Sequence, residues 1–250
     1  MSKNELLTIG YSTLATRLPG IKYLDGFQNL VVVQNPTSES LPSADQRIKR
    51  VELHSKGVAK SRNAVIDNTT TEYLLFGDDD IEFKEESINS AITFLEANKE
   101  ISILLLQAVD ETGALRKRYP SQAHPLKLTN SAKAATYEMI IRTPDIKKAS
   151  IRFDENFGAG AQNYLGDEYI FIADALRAGL KGLFLPIVIA THPTDSSGSF
   201  HNTKQDALVR SRIFSRVFGV WAPIMRLLFI LKPPSKKFGF RNSVSFLIGR

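Results

Sequence analysis

Short apolar runs that alternate with stretches of helical periodicity constrain the fold of this chain more than any other feature. Residues 58–67, 85–98 and 169–178 have helical spacing and separate most of these runs. A strand, a helix and a further strand in succession predict an α/β fold, with a mostly parallel, Rossmann-like sheet flanked by helices. The apolar runs that we predict as buried strands are residues 6–11, 30–33, 73–76, 101–106 and 183–190. Residues 138–141 are predicted as a further strand, and residues 12–17 and 37–50 as loops.

Polar residues follow three of the predicted strands at the point where each strand ends. They are Ser12 and Thr13 after the first strand, the aspartates 78–80 after the third, and Thr191 and His192 after the last. In open α/β sheets, ligands bind beyond the carboxyl ends of the strands. We therefore expect these three clusters to meet in one site.

The composition excludes several kinds of site. The chain has 250 residues and no cysteine, which rules out disulfides, zinc sites built from thiolates and cysteine nucleophiles. Its first residues are polar and contain no apolar signal segment. Both observations lead us to expect a reducing, cytoplasmic setting.

The net charge of +6 is concentrated at one end of the chain. Residues 204–250 contain ten Lys or Arg and one acid, Asp206, whereas the rest of the chain has a small excess of acids. This asymmetry predicts a domain of residues 1–203 and a basic extension of residues 204–250. An anionic surface is one partner that such an extension suits, and a solvated basic tail is the alternative.

Three adjacent aspartates form the sharpest chemical feature of the sequence. Asp78, Asp79 and Asp80 repel one another unless water or a cation neutralises them. Mg²⁺ and Mn²⁺ prefer such oxygen ligands and bridge to phosphates. Alternate residues at a strand end share a side, so Asp78 and Asp80 can serve one ligand. An acidic turn or a helix N-cap is the alternative for the triplet alone.

The surrounding motifs resemble those of the family 2 inverting glycosyltransferases, which have the GT-A fold. Their pattern is a glycine, a short spacer, Arg-Asn, a helix, a buried strand and Asp-x-Asp. In this chain it is matched by Gly57, Arg62, Asn63 and the aspartates. The resemblance continues through residues 153–158, 166–168 and 179 to His192 and covers roughly residues 6–195. It implies transfer of a sugar from a nucleotide-diphosphate sugar to an acceptor hydroxyl.

The resemblance also implies roles for the residues that bind the donor. Asp78 would contact the ribose or nucleotide, with Asp79 beside it in the same cluster. Tyr11, Ser12 and Thr13 would hold the nucleotide base. Arg62 would orient the nucleotide or the aspartates, or would instead be the structural partner of a buried carboxylate. These assignments follow from the family pattern.

The metal would be Mn²⁺ or Mg²⁺, bound by Asp80 and bridging the donor's diphosphate. In some relatives a histidine after the last strand joins the metal ligands, which makes His192 a second candidate ligand, with a structural histidine as the alternative. Many members have aspartates after the second strand that help to recognise the base. Here those positions are Gln34 and Asn35, which leaves the base open, with uridine as the default.

The general base would come from the acidic pair at residues 167–168. An acceptor hydroxyl is a poor nucleophile until its proton is being removed. The family often has Glu-Asp here, with the second acid as the base, which maps the base onto Glu168. The order is reversed in this chain, so Asp167 stays a candidate. Stabilisation of the helix N-terminus by both acids is the alternative.

Two further regions bear on the partners. Residues 119–128 lie where relatives bind a saccharide or lipid-linked saccharide acceptor, and residues 195–199 are a candidate lid or a linker. Residues 207–231 have arginines, including Arg212 and Arg216, on one helical side and bulky apolar residues on the other. This amphipathic helical tail is predicted to lie on the anionic inner face of a membrane without spanning it. Packing of its apolar face on the catalytic domain is the alternative.

The sequence thus predicts a metal-dependent glycosyltransferase, and a role in bacterial surface polysaccharide synthesis follows from the resemblance alone. Two other functions compete with it. The pI near 9.4 suggests a nucleic-acid-binding protein, but the body is acidic and contains no recognised nucleic-acid motif, so we expect no nucleic acid partner. A sugar nucleotidyltransferase would need a glycine-rich basic loop after the first strand, and residues 10–14 do not resemble one.

Overall fold

The computed structural model describes residues 5–43, 45–194, 203–231 and 239–249. They form a central sheet with helices on both faces, as the sequence predicts. The strands are β1 Leu7–Leu14, β2 Gln28–Gln34, β3 Ile48–Leu53, β4 Tyr73–Asp78, β5 Glu82–Phe83, β6 Ile101–Val109, β7 His124–Pro125, β8 Met139–Arg142 and β9 Lys181–Thr191. The helices are α1 Val58–Asn68, α2 Glu85–Ala97, α3 Thr143–Lys148, α4 Asp167–Arg177, α5 Lys204–Phe218, α6 Ala222–Leu231 and α7 Phe240–Ile248.

The strand order is β3-β2-β1-β4-β8-β6-β9-β5, with β7 paired to β9. The pairs β3–β2, β2–β1, β1–β4 and β6–β9 are parallel, and β8 runs antiparallel between β4 and β6. Because β8 runs the other way, its first residue lies at the edge where β4 and β6 end. The residues just before β8 are thereby placed beside the predicted site.

Two apolar layers hold the helices on the sheet. One layer packs α2 against β1, β4 and β6, with Ile88, Ile92 and Leu95 fully buried at helical spacing. The other packs α1, α3 and α4 on the opposite face, around Phe76, Phe153 and Phe171. The rings of Phe153 and Phe171 stack with centroids 4.3 Å apart. Burial on both faces explains why the central strands are apolar without alternation.

Two local predictions differ from the structure, and a third is not tested by it. Strand β1 continues to Leu14 through the predicted polar loop, because Ser12 and Thr13 pair with Val32 and Val33 of β2. The end of the predicted loop 37–50 forms the first half of edge strand β3, whose charged residues face solvent and conceal its strand character. The predicted lid at residues 195–199 lies outside the described residues.

The C-terminal extension packs on the catalytic domain through its first helix. Val209, Ile213 and Val217 of α5 are buried against Tyr169 and Ile170 of α4. Helices α6 and α7 in turn pack on α5 around the fully buried Phe246. Helix α5 is therefore part of the domain's core, which is the alternative that the sequence left open for this apolar face.

Two arginines of α5, Arg212 and Arg216, contact other parts of the protein, and both residues are also exposed to solvent. Arg216 Nη2 lies 2.6 Å from Asp174 Oδ2, and its Nε lies 2.9 Å from Asp154 Oδ2. Arg212 donates to Asn163 Oδ1 at 2.9 Å. These side chains therefore help to hold α5 on the loop before α4 and on α4 itself.

The exposed apolar side chains are concentrated beyond α5. Nine of the ten large hydrophobic residues exposed in the described part of the chain belong to residues 220–248, and they include Val220, which is 90% exposed, and Trp221, which is 65% exposed. By length and composition alone, Lys204–Leu231 is long and apolar enough to cross a membrane. A 3-10 turn at Gly219–Trp221 separates α5 from α6 within this stretch.

Candidate active site

The three polar clusters predicted from the sequence meet at one edge of the sheet. Ser12 pairs in register with Asp78 because β1 and β4 are parallel neighbours. Thr191 ends β9, and the backbone amide of His192 donates to Val109 O at the end of β6 at 2.9 Å. The carboxyl ends of β1, β4, β6 and β9 thus surround one site, as expected for an open α/β sheet.

A buried arginine joins the site's carboxylates. Arg62 lies on the inner face of α1, and its side chain is 7% exposed. Its Nη1 lies 2.5 Å from Asp167 Oδ2 and 3.3 Å from Glu168 Oε1, and its Nη2 lies 3.4 Å from Asp78 Oδ1. One guanidinium therefore connects the end of β4 with the start of α4, and a buried arginine requires such charged partners.

The two acids of α4 occupy different environments. Asp167 is 4% exposed and Glu168 is 22% exposed, so Glu168 faces the open side of the site. Burial and the neighbouring Glu168 raise the pKa of Asp167, against the opposing effect of Arg62. Burial acts in the same direction on Glu168, but Arg62, the helix backbone and Thr136 outweigh it and hold the pKa of Glu168 below its ordinary value. Glu168 is therefore the acid held ionised and accessible.

Glycines of the family motifs permit these close approaches. Gly158 has a φ of +94°, and a Cβ added there would lie 2.7 Å from Asp167 Cγ. Gly166 precedes α4 with a φ of +91°, and a Cβ there would lie 2.4 Å from Ile213 Cδ1 of α5. Both residues need the left-handed backbone conformation and the missing side chain. The second contact ties α5 directly to the turn that presents the acidic pair.

The turn Thr136–Glu138, which sequence reasoning missed, supports the site from the opposite side. The hydroxyl of Thr136 donates to Glu168 Oε1 at 2.9 Å. The ring of Tyr137 stacks on His192, with centroids 4.9 Å apart. The turn reaches the site because the antiparallel β8 begins there. The sequence carries no signal for it, since neither a threonine nor a tyrosine marks a site by itself.

Asp80 and His192 come together as the candidate metal ligands. His192 Nε2 lies 3.7 Å from Asp80 Oδ1, and Asp80 is 34% exposed. Arg17 also reaches this aspartate, with Nη2 3.4 Å from Asp80 Oδ2. Within the described residues, no group of three or more His, Asp or Glu side chains is arranged to hold a metal ion. Asp80 and His192 suit a metal that takes its remaining ligands from a bound diphosphate and water.

Asp79 and Thr13 contact each other. The hydroxyl of Thr13 donates to Asp79 Oδ2 at 2.6 Å, and Arg17 Nη2 lies 2.6 Å from Asp79 Oδ1. The Asp79 side chain is 8% exposed. Thr13 and Asp79 therefore hold the end of β1 on the turn that follows β4, and the structure does not direct either of them at an open nucleotide site.

Tyr11 and Ser12, both predicted to hold the nucleotide base, lie in different environments. Tyr11 is fully buried, its ring packs edge-on against Tyr23, and its hydroxyl donates to Lys22 O at 3.3 Å. Its ring cannot stack on a nucleotide base, because in β1 it points into the layer below the sheet. The Ser12 hydroxyl is buried beside Asp78 without a hydrogen-bond partner. A buried orphan hydroxyl at this edge favours a ligand contact.

Gln34 and Asn35 are also engaged in structural contacts. Gly57 donates its backbone N–H to Gln34 Oε1 at 2.8 Å, and Asn35 Nδ2 donates to Glu52 Oε1 at 2.7 Å. These bonds fix the approach to α1. Both side chains therefore have a role in the fold at the positions where many family members have aspartates.

Comparison with known proteins supports the family that the motifs indicate. The profile described as Glycosyl transferase family 2 matches residues 34–147, which include Arg62 and all three aspartates. No curated protein sequence matches the chain. The acidic pair and His192 lie beyond the matched residues, so their assignment depends on the geometry described above.

Solved structures of S. aureus TarS share the fold. The structure of TarS 1-349 in complex with UDP-GlcNAc matches 97% of this chain and 79% of that chain, with a TM-score of 0.61 and 16% identity. The complex of the same fragment with UDP matches 96% and 74%, with a TM-score of 0.59 and 16% identity. A longer TarS structure matches 89% of this chain and 42% of that chain, with a TM-score of 0.56 and 17% identity.

At identities of 16–17%, the similarity to the TarS structures shows a shared fold, whereas the profile match is a similarity of sequence. The profile match covers the Gly57–Arg62–Asp80 pattern, and the solved structures share the fold. The chain has the GT-A fold, and its residues 34–147 are similar to glycosyl transferase family 2.

Proposed function

We propose that the chain transfers a sugar from a nucleotide-diphosphate sugar to an acceptor hydroxyl with inversion at the anomeric carbon. The observation that carries the proposal is the contact of Arg62 with Asp78, Asp167 and Glu168. It joins a donor-side carboxylate to an accessible, ionised carboxylate at the N-terminus of α4. A direct displacement needs such an arrangement, with the donor on one side and a base on the other.

Glu168 is the base in this proposal. Its carboxylate accepts the proton of the acceptor hydroxyl while the hydroxyl oxygen forms a bond to the anomeric carbon. The bond from that carbon to the diphosphate breaks, and its electron pair leaves with the nucleoside diphosphate. Thr136 and Arg62 both contact Oε1 of Glu168, which leaves Oε2 for the acceptor. Attack from the face opposite the leaving group inverts the configuration.

Asp80 and His192 would hold Mn²⁺ or Mg²⁺ beside the donor's diphosphate. When bound, the metal would neutralise charge that develops on the leaving diphosphate. Ser12 and Asp78 lie next to this pair and would contact the nucleotide. The similar structures with UDP-GlcNAc and UDP make a UDP-sugar the first donor to test.

A thermal-shift screen of nucleotide sugars with and without Mn²⁺ tests the donor proposal, because a ligand that binds the folded state raises its melting temperature. We expect a UDP-sugar to raise the melting temperature more when Mn²⁺ is present. The D80A variant should lose the additional rise that Mn²⁺ gives. If no nucleotide sugar stabilises the wild-type protein under either condition, the proposed donor class is wrong.

We also propose that the enzyme works as a peripheral protein on the inner face of the cytoplasmic membrane, in surface polysaccharide synthesis. The support is the exposed apolar surface around Val220, Trp221, Ile224 and Leu228, at the turn before α6 and along that helix. Three lysines lie in the segment between α6 and α7. Exposed apolar residues beside basic ones suit an anionic membrane interface. This surface is part of the apolar side predicted from the sequence, whereas Arg212 and Arg216 contact the domain.

A further inference from the structure

A cavity of about 530 Å³ lies next to the turn Thr136–Glu138 and is lined by polar, aromatic and aliphatic side chains. It is enclosed by β6, β7, β9 and the segments 117–121 and 130–134. Its volume is in the range of small-molecule sites. The charged and aromatic residues of its lining include Lys117, Arg118, Tyr119, Lys133, Glu138 and Phe184.

The turn Thr136–Glu138 connects this cavity to the catalytic carboxylate. Thr136, its first residue, donates to Glu168 Oε1 at 2.9 Å. Glu138, its last residue, lines the cavity. One end of this turn thus contacts the proposed base, and the other end contacts the cavity.

One of the three cations in the cavity wall is neutralised by a carboxylate. Glu138 is the only carboxylate among the residues that line the cavity, and its side chain is 2% exposed. Lys117 Nζ lies 2.6 Å from Glu138 Oε2, and the Tyr119 hydroxyl donates to Glu138 Oε1 at 2.5 Å. Burial raises the pKa of Glu138, and Lys117 opposes that shift. Lys117 and Glu138 are thus paired with each other.

Two cations remain without such a partner. Arg118 and Lys133 line the cavity and are exposed, and no ion pair involves either of them in the described part of the chain. Beside them the ring of Tyr119 stacks on Phe184 at a centroid distance of 6.3 Å. A flat apolar wall suits the face of a sugar ring, and unpaired guanidinium and ammonium groups suit phosphate oxygens.

We infer that this cavity binds the acceptor, and that the acceptor is a saccharide that carries a phosphate group. Arg118 and Lys133 bind the phosphate, and the Tyr119–Phe184 wall contacts the sugar. The acceptor hydroxyl then lies toward Glu168. This inference rests on the proposed glycosyl transfer and adds the chemical class of the acceptor to it.

The test compares the binding of glucose 6-phosphate and glucose by calorimetry, in the presence of saturating UDP and Mg²⁺ so that the donor site is filled. The two probes differ in the phosphate group. The full-length wild-type chain should bind glucose 6-phosphate more tightly than glucose. R118E/K133E should lose at least about tenfold in affinity for glucose 6-phosphate, because charge-assisted hydrogen bonds are replaced by repulsion. K84E/K148E, which changes two exposed lysines outside the cavity, should retain the affinity.

The outcomes separate this inference from the proposed function. Absence of UDP binding in the wild type would defeat the donor proposal itself. If UDP binds but the two probes bind equally, or if their difference survives R118E/K133E, the inferred acceptor class is wrong.

The same variants are also tested with phosphatidylglycerol vesicles. Loss of vesicle binding in R118E/K133E would assign the two cations to a lipid headgroup and overturn the inference. Unchanged vesicle binding supports a phosphate-bearing saccharide.

Discussion

Arg62 controls the charge state of the residues around it. Its buried guanidinium lowers the pKa of Glu168, while Asp167, whose pKa burial raises, contacts the same Nη1. The sequence left a nucleotide contact and a carboxylate partner open for this arginine. The structure shows the carboxylate contacts, with Asp167 as the shortest at 2.5 Å.

Replacing Arg62 should change the pH dependence of the enzyme. R62M removes the charge that lowers the pKa of Glu168, so that pKa rises and fewer molecules have an ionised base near pH 7. We expect kcat/KM to fall at neutral pH and to recover partly as the pH is raised. R62K, which retains the charge, should stay closer to the wild-type profile.

Thermal melts of the same variants separate this effect from misfolding. Removing one partner of a buried ion pair destabilises a protein by about 3–5 kcal/mol. We therefore expect R62M to melt earlier, and its kinetics should be measured well below its melting temperature. A pH profile of R62M that parallels the wild-type profile would show that Arg62 does not set the ionisation of the base.

Asp79 and Asp80 are adjacent, but substitution of Asp79 should affect stability, whereas substitution of Asp80 should affect metal-dependent donor binding. D80A should abolish Mn²⁺-dependent donor binding, because Asp80 is the exposed aspartate beside His192. D79N should lower the melting temperature, since Asp79 bonds to Thr13 and Arg17, and should retain a response to Mn²⁺. Donor titrations at several Mn²⁺ concentrations check both. Mn²⁺-dependent binding that survives D80A would remove this residue from the metal site.

At the scale of elements, α5 belongs to the catalytic domain although its sequence resembles a separate tail. Ile213 lies against Gly166, the residue before Asp167, and Val209, Ile213 and Val217 complete the apolar cluster around α4. A chain truncated after Asn202 should therefore lose stability or fail to fold. I213A should destabilise the protein by about 2–5 kcal/mol, as other large-to-small core changes do.

Kinetics of I213A test whether α5 also positions the acidic pair. We expect a fall in kcat with little change in donor affinity, because the turn before α4 loosens while the aspartates of β4 are not affected. V244A, on the half-exposed side of α7, is the matched control and should retain kcat. A truncated chain that melts like the full-length protein would show that the extension is independent of the domain.

The sequence predicted the strands and helices whose side chains are buried in a regular pattern. It missed the elements that combine buried, exposed and charged side chains. The buried strands β1, β4 and β6 carry continuous apolar runs, and α2 shows regular spacing. Strand β3 is half charged, and the direction of β8 depends on strand pairing that no local pattern encodes. The catalytic clusters were predicted because strand ends meet at one edge of a parallel sheet. The inward orientation of Tyr11 and the contacts of Thr136 depend on tertiary packing, which the sequence does not show locally.

At the scale of the whole molecule, the exposed apolar surface at residues 220–228 should bind membranes. Full-length protein should sediment with phosphatidylglycerol vesicles, and salt should weaken this binding without abolishing it, because screening does not affect apolar contacts. V220E/W221E should stay in solution and retain donor binding, since both side chains are exposed. T93E/S90E, on the exposed side of α2, adds the same charge elsewhere and should still sediment.

Sedimentation that is equal for V220E/W221E and the wild type would contradict this surface. R212E/R216E would not test membrane binding specifically. Both arginines dock α5 on the domain, so this variant should lower the melting temperature instead.

The central claim is inverting sugar transfer with Glu168 as the base. The most direct test follows the slow hydrolysis of an α-linked UDP-sugar by ¹H NMR, with water in place of the acceptor and Mg²⁺ present. At early times the released sugar should be the β anomer. E168Q should bind the donor normally and release sugar at least about 10² times more slowly, while D167N should reduce the rate less. Release of the α anomer first, or an E168Q rate equal to that of the wild type, would contradict the account.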